Sequence, residues 1–144
     1  MEKNNINFSH CSYNIIDKDG FKLGARKARK NLEFNRLLRS CDIGLSTVII
    51  KKKILKKLKF PNLKTKEDFV MWLQIARNYE VIGLSQILAS WRKTRDSLSS
   101  NTFQKFKDGF NVYNKYMKFN FIKSTLFLFI LSFNYLFKNL KSKY

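Results

Sequence analysis

Residues 8–23 read FSHCSYNIIDKDGFKL, and the fold turns on this stretch. Tyr13, Ile15 and Ile16 give Phe8 to Ile16 the aromatic and β-branched character of a strand. Asp17-Lys18-Asp19-Gly20 then sets Asp-Gly between two apolar runs, a strong local signal for a hairpin turn. Phe21 to Leu23 is expected to return as a second, short strand. The two aspartates also have the spacing of a DxD metal motif, in which carboxylates at i and i+2 hold a divalent cation with a diphosphate. Gly20 and the flanking apolar runs explain both as turn residues, and no metal is assigned to them.

Beyond the hairpin, strand and helix patterns alternate. Residues 24–30 are basic and read as a loop. Leu32, Phe34, Leu37 and Leu38 sit near helical spacing, predicting a short helix over 31–40. Ile43 to Ile50 is apolar and β-branched, the pattern of a buried strand. Lys51 to Lys59 reads as a short amphipathic helix ended by Phe60-Pro61. Thr65 to Asn78 is the clearest helix: Thr65 as its cap, Glu67 and Asp68 in the first turn, and Phe69, Trp72, Leu73 and Ala76 as an apolar stripe. Val81 to Leu88 follows as a strand running into Trp91-Arg92. The expectation is an α/β fold.

Residues 101–144 differ in character. Asn101 and Gln104 resemble a capping box. Phe103, Phe106, Phe110, Tyr113 and Met117 recur at spacings of three and four. From Ser124 to Phe137 no charge interrupts the chain, and Lys123 and Lys138 bracket the run. As a helix it would rise about 21 Å, short of the ~30 Å hydrocarbon core of a bilayer. It fits a helix lying in the membrane interface, or packed on protein, better than a span.

Composition narrows the class. The chain has 144 residues, 44% of them hydrophobic and 27% charged, so it is one domain's worth of foldable sequence. Lys and Arg number 29 against 10 acids, a formal net charge of +19. Such a surface attracts nucleic acid, anionic lipid or phosphorylated substrates without choosing among them. The excess of Lys over Arg, with much Asn, Ile and Phe, also matches an AT-rich coding sequence. Cys11, Cys41 and the single His10 make no zinc set, and the two cysteines are expected as small half-buried thiols. The start, Met-Glu-Lys-Asn-Asn, has no secretory pattern, so a cytoplasmic location is expected.

Few residues are placed to do chemistry. There is no Gly-rich phosphate loop, GxSxG elbow or HExxH. Glu67-Asp68 stand at a helix start, where acids stabilise the helix by roughly 0.3–1 kcal/mol. Asp68 and Trp72 are one turn apart and share a face. An acid beside a ring suits a sugar: the ring covers its C–H face, and the carboxylate takes a proton from a hydroxyl. The segment 91–100, WRKTRDSLSS, combines three cations with several hydroxyls, a set suited to phosphate oxygens.

Taken in order, FSHCSYNIIDKDG (8–20), IGLSTVII (43–50), EDFVMWL (67–73) and WRKTRDSLS (91–99) resemble the C-terminal half of bacterial family 2 glycosyltransferases of the GT-A type. The resemblance covers about residues 8–100. It implies a partial GT-A (Rossmann-like) sheet with packed helices over 1–100, and an α-helical, possible membrane-associated extension over 101–144. It also implies roles: Asp68 as the general base with Glu67 beside it, Trp72 near the acceptor, Arg92 and Ser97 over the donor diphosphate, and Ser46 and Thr47 near the acceptor pocket. Thr94 stands where some relatives carry a His that helps bind metal or diphosphate. The family's nucleotide-binding half and its metal-binding DxD lie upstream of the FSHCSY segment, where this sequence has only seven residues.

The implied activity is transfer of a sugar from a nucleotide-sugar donor to a glycan or lipid-linked acceptor, in cell-surface polysaccharide synthesis. The complete family enzyme uses a divalent cation, Mg or Mn; neither cofactor nor metal site is expected in this chain alone. A separate chain carrying the nucleotide-binding half and an anionic membrane surface at the inner face of the cell membrane are the further partners. The competing class is a non-enzymatic module that binds nucleic acid or a membrane surface through residues 22–30, Lys51-Lys52-Lys53 and Lys56-Lys57. Nucleic acid is disfavoured, because these segments carry neither stacking aromatics in an RNA-binding pattern nor a helix-turn-helix signature.

Overall fold

The structure, a computed structural model, describes residues 5–56, 58–94 and 101–141. It is a mixed α/β fold. The quoted stretch forms strand β1 (Phe8–Ile16) and, across the turn, β2 (Lys22–Arg26), paired antiparallel. Gly20 takes the left-handed conformation (φ 97°) that the turn requires. Asp17 Oδ1 accepts from the backbone N–H of Asp19 (2.9 Å) and Phe21 (2.8 Å), so its carboxylate serves the turn. The returning strand reaches Arg26, into a stretch expected as loop.

β1 is the centre of the sheet. Strand β4 (Val81–Arg92) runs parallel to it along its whole length, from Phe8–Val81 to Ile16–Arg92. A strand has two edges, so β2 and the short β3 (Val48–Ile50) share the other one, β3 opposite Phe8–His10 and β2 opposite Tyr13–Ile16. β3 is shorter than the expected 43–50 strand. Residues 45–47 close a 3₁₀ turn instead, in which Thr47 Oγ1 donates to Gly44 O at 2.8 Å.

The expected 31–40 helix is also trimmed, to α1 (Phe34–Leu37). The backbone before it pairs with the outer edge of β4: Leu32 N–H donates to Val81 O (3.0 Å), and Gly83 N–H to Lys30 O (2.8 Å). A Cβ on Gly83 would lie 2.0 Å from Arg29 O, so only glycine permits this approach. Sheet hydrogen bonding there outweighs a weak helical periodicity. Beyond Gly83, no strand among the described residues pairs with the outer edge of β4.

After α2 (Lys52–Leu55) comes α3 (Glu67–Ala76). A one-sided stripe is expected here, yet Phe69, Val70, Met71, Trp72, Leu73 and Ile75 are all buried. The cause is enclosure. Trp72 stacks on Phe8 of the sheet (5.1 Å between centroids), while Phe69 meets Tyr113 edge-on (6.4 Å) in the C-terminal helices. Those helices are α4 (Thr102–Asn111), capped by Asn101 Oδ1 on Gln104 N–H, a π-helical turn (Val112–Tyr116), and α5 (Phe121–Lys141). Val112, Tyr113, Met117 and Leu131 join the same core as β1 and α3.

Candidate active site

The acid pair opens α3. The residue before it, Lys66, has φ 68°, and no side chain caps the helix. Thr65, expected as the cap, is engaged elsewhere: its backbone N–H and its hydroxyl both donate to Asp108 Oδ2, each at 2.9 Å. Asp108 is buried in α4, 43 residues along the chain, and fixes the turn that presents Glu67 and Asp68. No local pattern in the sequence marks it for this.

Asp68 is half-buried, and its Oδ1 accepts from Phe69 N–H at 2.7 Å. Burial raises its pKa above the usual carboxylate range, and the neighbouring Glu67 charge adds to the effect; the Phe69 N–H and the Lys66 ammonium oppose it. A carboxylate so placed is a stronger base than one in water.

Around it gather groups that are distant in sequence. Tyr13, half-buried on β1, feels the charges of Arg26 and Asp68, and burial raises its pKa. A Cβ on Gly44 would lie 3.4 Å from the Tyr13 ring and from Thr47 Cγ2. Tyr13 therefore neighbours the Gly44–Thr47 turn. Ser46 is exposed on that turn, and Thr47 is buried with its hydroxyl committed to Gly44 O. The Cys41 thiol is pushed up to about 11, by burial first and by Asp68 second, so it stays protonated and is no nucleophile. Tyr13, Arg26 and Cys41 escaped the sequence reading; only the place of Tyr13 in the FSHCSY stretch hinted at them.

Two expected site residues are placed otherwise. Trp72 lies in the core, with one face on Phe8 and its indole Nε1 buried without a partner, so it offers no surface to a sugar. The core claims that ring because β1 packs directly on this side of α3. Arg92 is exposed at the end of β4, and its Nη1 donates to Asp17 O (3.0 Å) and Lys18 O (2.6 Å), tying β4 to the hairpin turn. Ser97 lies outside the described residues.

Comparison with known proteins finds bacterial glycosyltransferases. The chain is 32% identical over 120 residues to the Escherichia coli protein WfgD, named a UDP-Glc:alpha-D-GlcNAc-diphosphoundecaprenol beta-1,3-glucosyltransferase; this is 82% of the chain and 47% of WfgD. It is 28% identical over 127 residues to TuaG of Bacillus subtilis, whose name assigns it to teichuronic acid biosynthesis, covering 87% of the chain and 50% of TuaG. A second E. coli protein named for the same glucosyltransferase activity, WfaP, is 29% identical over 105 residues, 72% of the chain and 41% of WfaP.

By these matches the chain is a homologue of bacterial glycosyltransferases.

No family model and no solved structure matches it. The chain spans about half the length of the curated relatives it matches. The divalent cation of the family does not fit the residues present: among the described residues no three His, Cys, Asp or Glu side chains converge, and Asp17 is held by its own turn. His10, the one histidine, is buried with Nε2 unpartnered, and burial lowers its pKa, so it stays neutral. What this chain presents is an oriented, half-buried carboxylate with a second acid beside it.

Proposed function

We propose that this chain is the acceptor-side, C-terminal half of a family 2 glycosyltransferase acting in cell-surface polysaccharide synthesis. The transfer runs from a nucleotide-sugar donor to a lipid-linked glycan acceptor. The reading is carried by Asp68: a carboxylate at a helix start, kept basic by burial and by Glu67, and aimed by the Phe69 N–H. In the reaction Asp68 takes the proton of the acceptor hydroxyl. The freed oxygen attacks the anomeric carbon, and the bond from that carbon to the nucleoside diphosphate breaks, its electron pair leaving with the diphosphate. General-base assistance of this kind contributes roughly 10²–10⁴-fold.

Ser46, exposed on the turn beside Tyr13, is the residue we assign to an acceptor hydroxyl. Donor and cation belong to the nucleotide-binding half, on a separate chain or on a longer form of this one. Arg92 reaches a donor diphosphate only by leaving the Asp17 and Lys18 carbonyls. The whole assembly works at the cytoplasmic face of the membrane, where a lipid-linked acceptor is presented. The names of WfgD and WfaP, which specify diphosphoundecaprenol acceptors, support that choice.

The test pairs the purified chain with the first half of TuaG or WfgD, added in trans with nucleotide sugar and manganese. Transfer to a lipid-diphosphate sugar is expected only when both halves are present, and Asp68→Asn should lower it by about 10²–10⁴-fold. Equal turnover by Asp68→Asn would refute the assignment of the base.

A further inference from the structure

α5 has two faces of different fate. Its inner face is fastened to the body along its length. Ser124 and Leu131 are buried, Phe127 packs on Tyr113 (5.5 Å), Asn134 Nδ2 donates to Arg39 O (2.9 Å), and Lys138 pairs with Asp42. Its outer face carries Ile122, Leu126, Phe129, Phe133, Leu136 and Phe137, all exposed. At 100° per residue these six fall within about 60° of one line, a stripe about 22 Å long. Ile122 is 79% exposed, and Phe129 and Phe133 are 67% and 69%. α4 packs on another side of α5, with Lys105 Nζ 6.0 Å from the Tyr135 ring, and its Phe103 and Phe106 are exposed as well.

Patches of this kind mark contact surfaces, and charge identifies the partner. After Asp108 the chain carries no acid at all and six lysines: Lys115, Lys118, Lys123, Lys138, Lys141 and Lys143. Lys118 and Lys123 are exposed near the N-terminal end of the stripe. A second copy of this chain would bring like charges together around the apolar faces. An anionic bilayer takes both features at once, burying the stripe and neutralising the lysines.

We propose that the outer stripe of α5 lies in the interface of an anionic membrane, parallel to its plane, with the inner face still packed on the protein. α5, at 21 residues, is long and apolar enough to cross a bilayer. It does not do so here, because its inner face is joined to a body bearing buried polar groups such as Asp108 and His10. The purpose of the contact rests on the lipid-linked acceptor proposed above. Lys138 anchors the end of α5 to Asp42, next to Cys41, whose thiol feels Asp68.

The test is flotation of the full chain with phosphatidylglycerol/phosphatidylcholine vesicles and with phosphatidylcholine vesicles alone, without donor or acceptor. Association is expected with anionic vesicles at low salt, weakening as salt is raised. The double substitution Phe129→Glu/Phe133→Glu should reduce binding at least tenfold while leaving the circular dichroism melt unchanged. Asp68→Asn should bind as the parent does, which separates this proposal from the catalytic one. Absence of flotation, undiminished binding by the double variant, or a stable dimer in sedimentation that the double variant abolishes would each overturn it.

Discussion

α3 and α5 are both apolar helices, and the structure treats them in opposite ways. α3 is enclosed between sheet and C-terminal helices, so that six of its ten residues are buried. α5 is covered on one side and bare on the other. Apolar content does not separate them. Their flanks do: α3 opens with two acids beside a cluster of polar groups, whereas α5 is bracketed by lysines. One helix holds the site and the other faces outward, and the same apolar side chains stabilise the fold in α3 but remain available to a partner in α5.

The largest effect that tests this contrast is on stability. Trp72→Ala should destabilise the chain by about 3–5 kcal/mol, through lost burial and the cavity left behind. Phe133→Ala should stay within about 0.5 kcal/mol. Urea denaturation of both variants measures the pair, and comparable losses would erase the distinction between the helices.

Asp108→Ala comes next. It leaves the Thr65 N–H and hydroxyl without their shared acceptor in a buried place, at a cost of about 1–3 kcal/mol. If Asp108 positions the acid pair, activity reconstituted in trans should fall by more than the loss of folded protein explains. A variant whose specific activity per folded molecule is unchanged would make Asp108 purely structural.

The smallest stability effect is a gain. The pKa of Asp68 is raised in the folded state, so the carboxyl favours folding below its unfolded pKa, and that contribution is lost as pH rises through the folded value. At neutral pH the charged form therefore costs stability, and Asp68→Asn should melt higher than the parent. The gap should close as pH falls toward the unfolded carboxylate pKa. A variant that melts lower at neutral pH would show that the Phe69 hydrogen bond outweighs desolvation.

What could be read from the sequence was local. The Asp17–Gly20 turn and the Asn101 cap each depend on neighbours within four residues, and each is where the pattern puts it. Misplaced features answer to distant partners. Thr65 is taken by Asp108, residues 30–32 by β4, and Trp72 by Phe8. The convergence of Tyr13, Cys41 and Asp68 comes from three separate segments, and nothing in any one of them announces the others.

The outer edge of β4 beyond Gly83 has a practical meaning at the bench. Peptide groups from Leu84 to Arg92, with exposed Leu84, Ile87, Leu88 and Trp91, form a template onto which another copy's strand can zip. Isolated at high concentration, the polypeptide is a candidate for inclusion bodies and fibrous precipitate, and its solubility becomes a readout for any molecule that seals that rim.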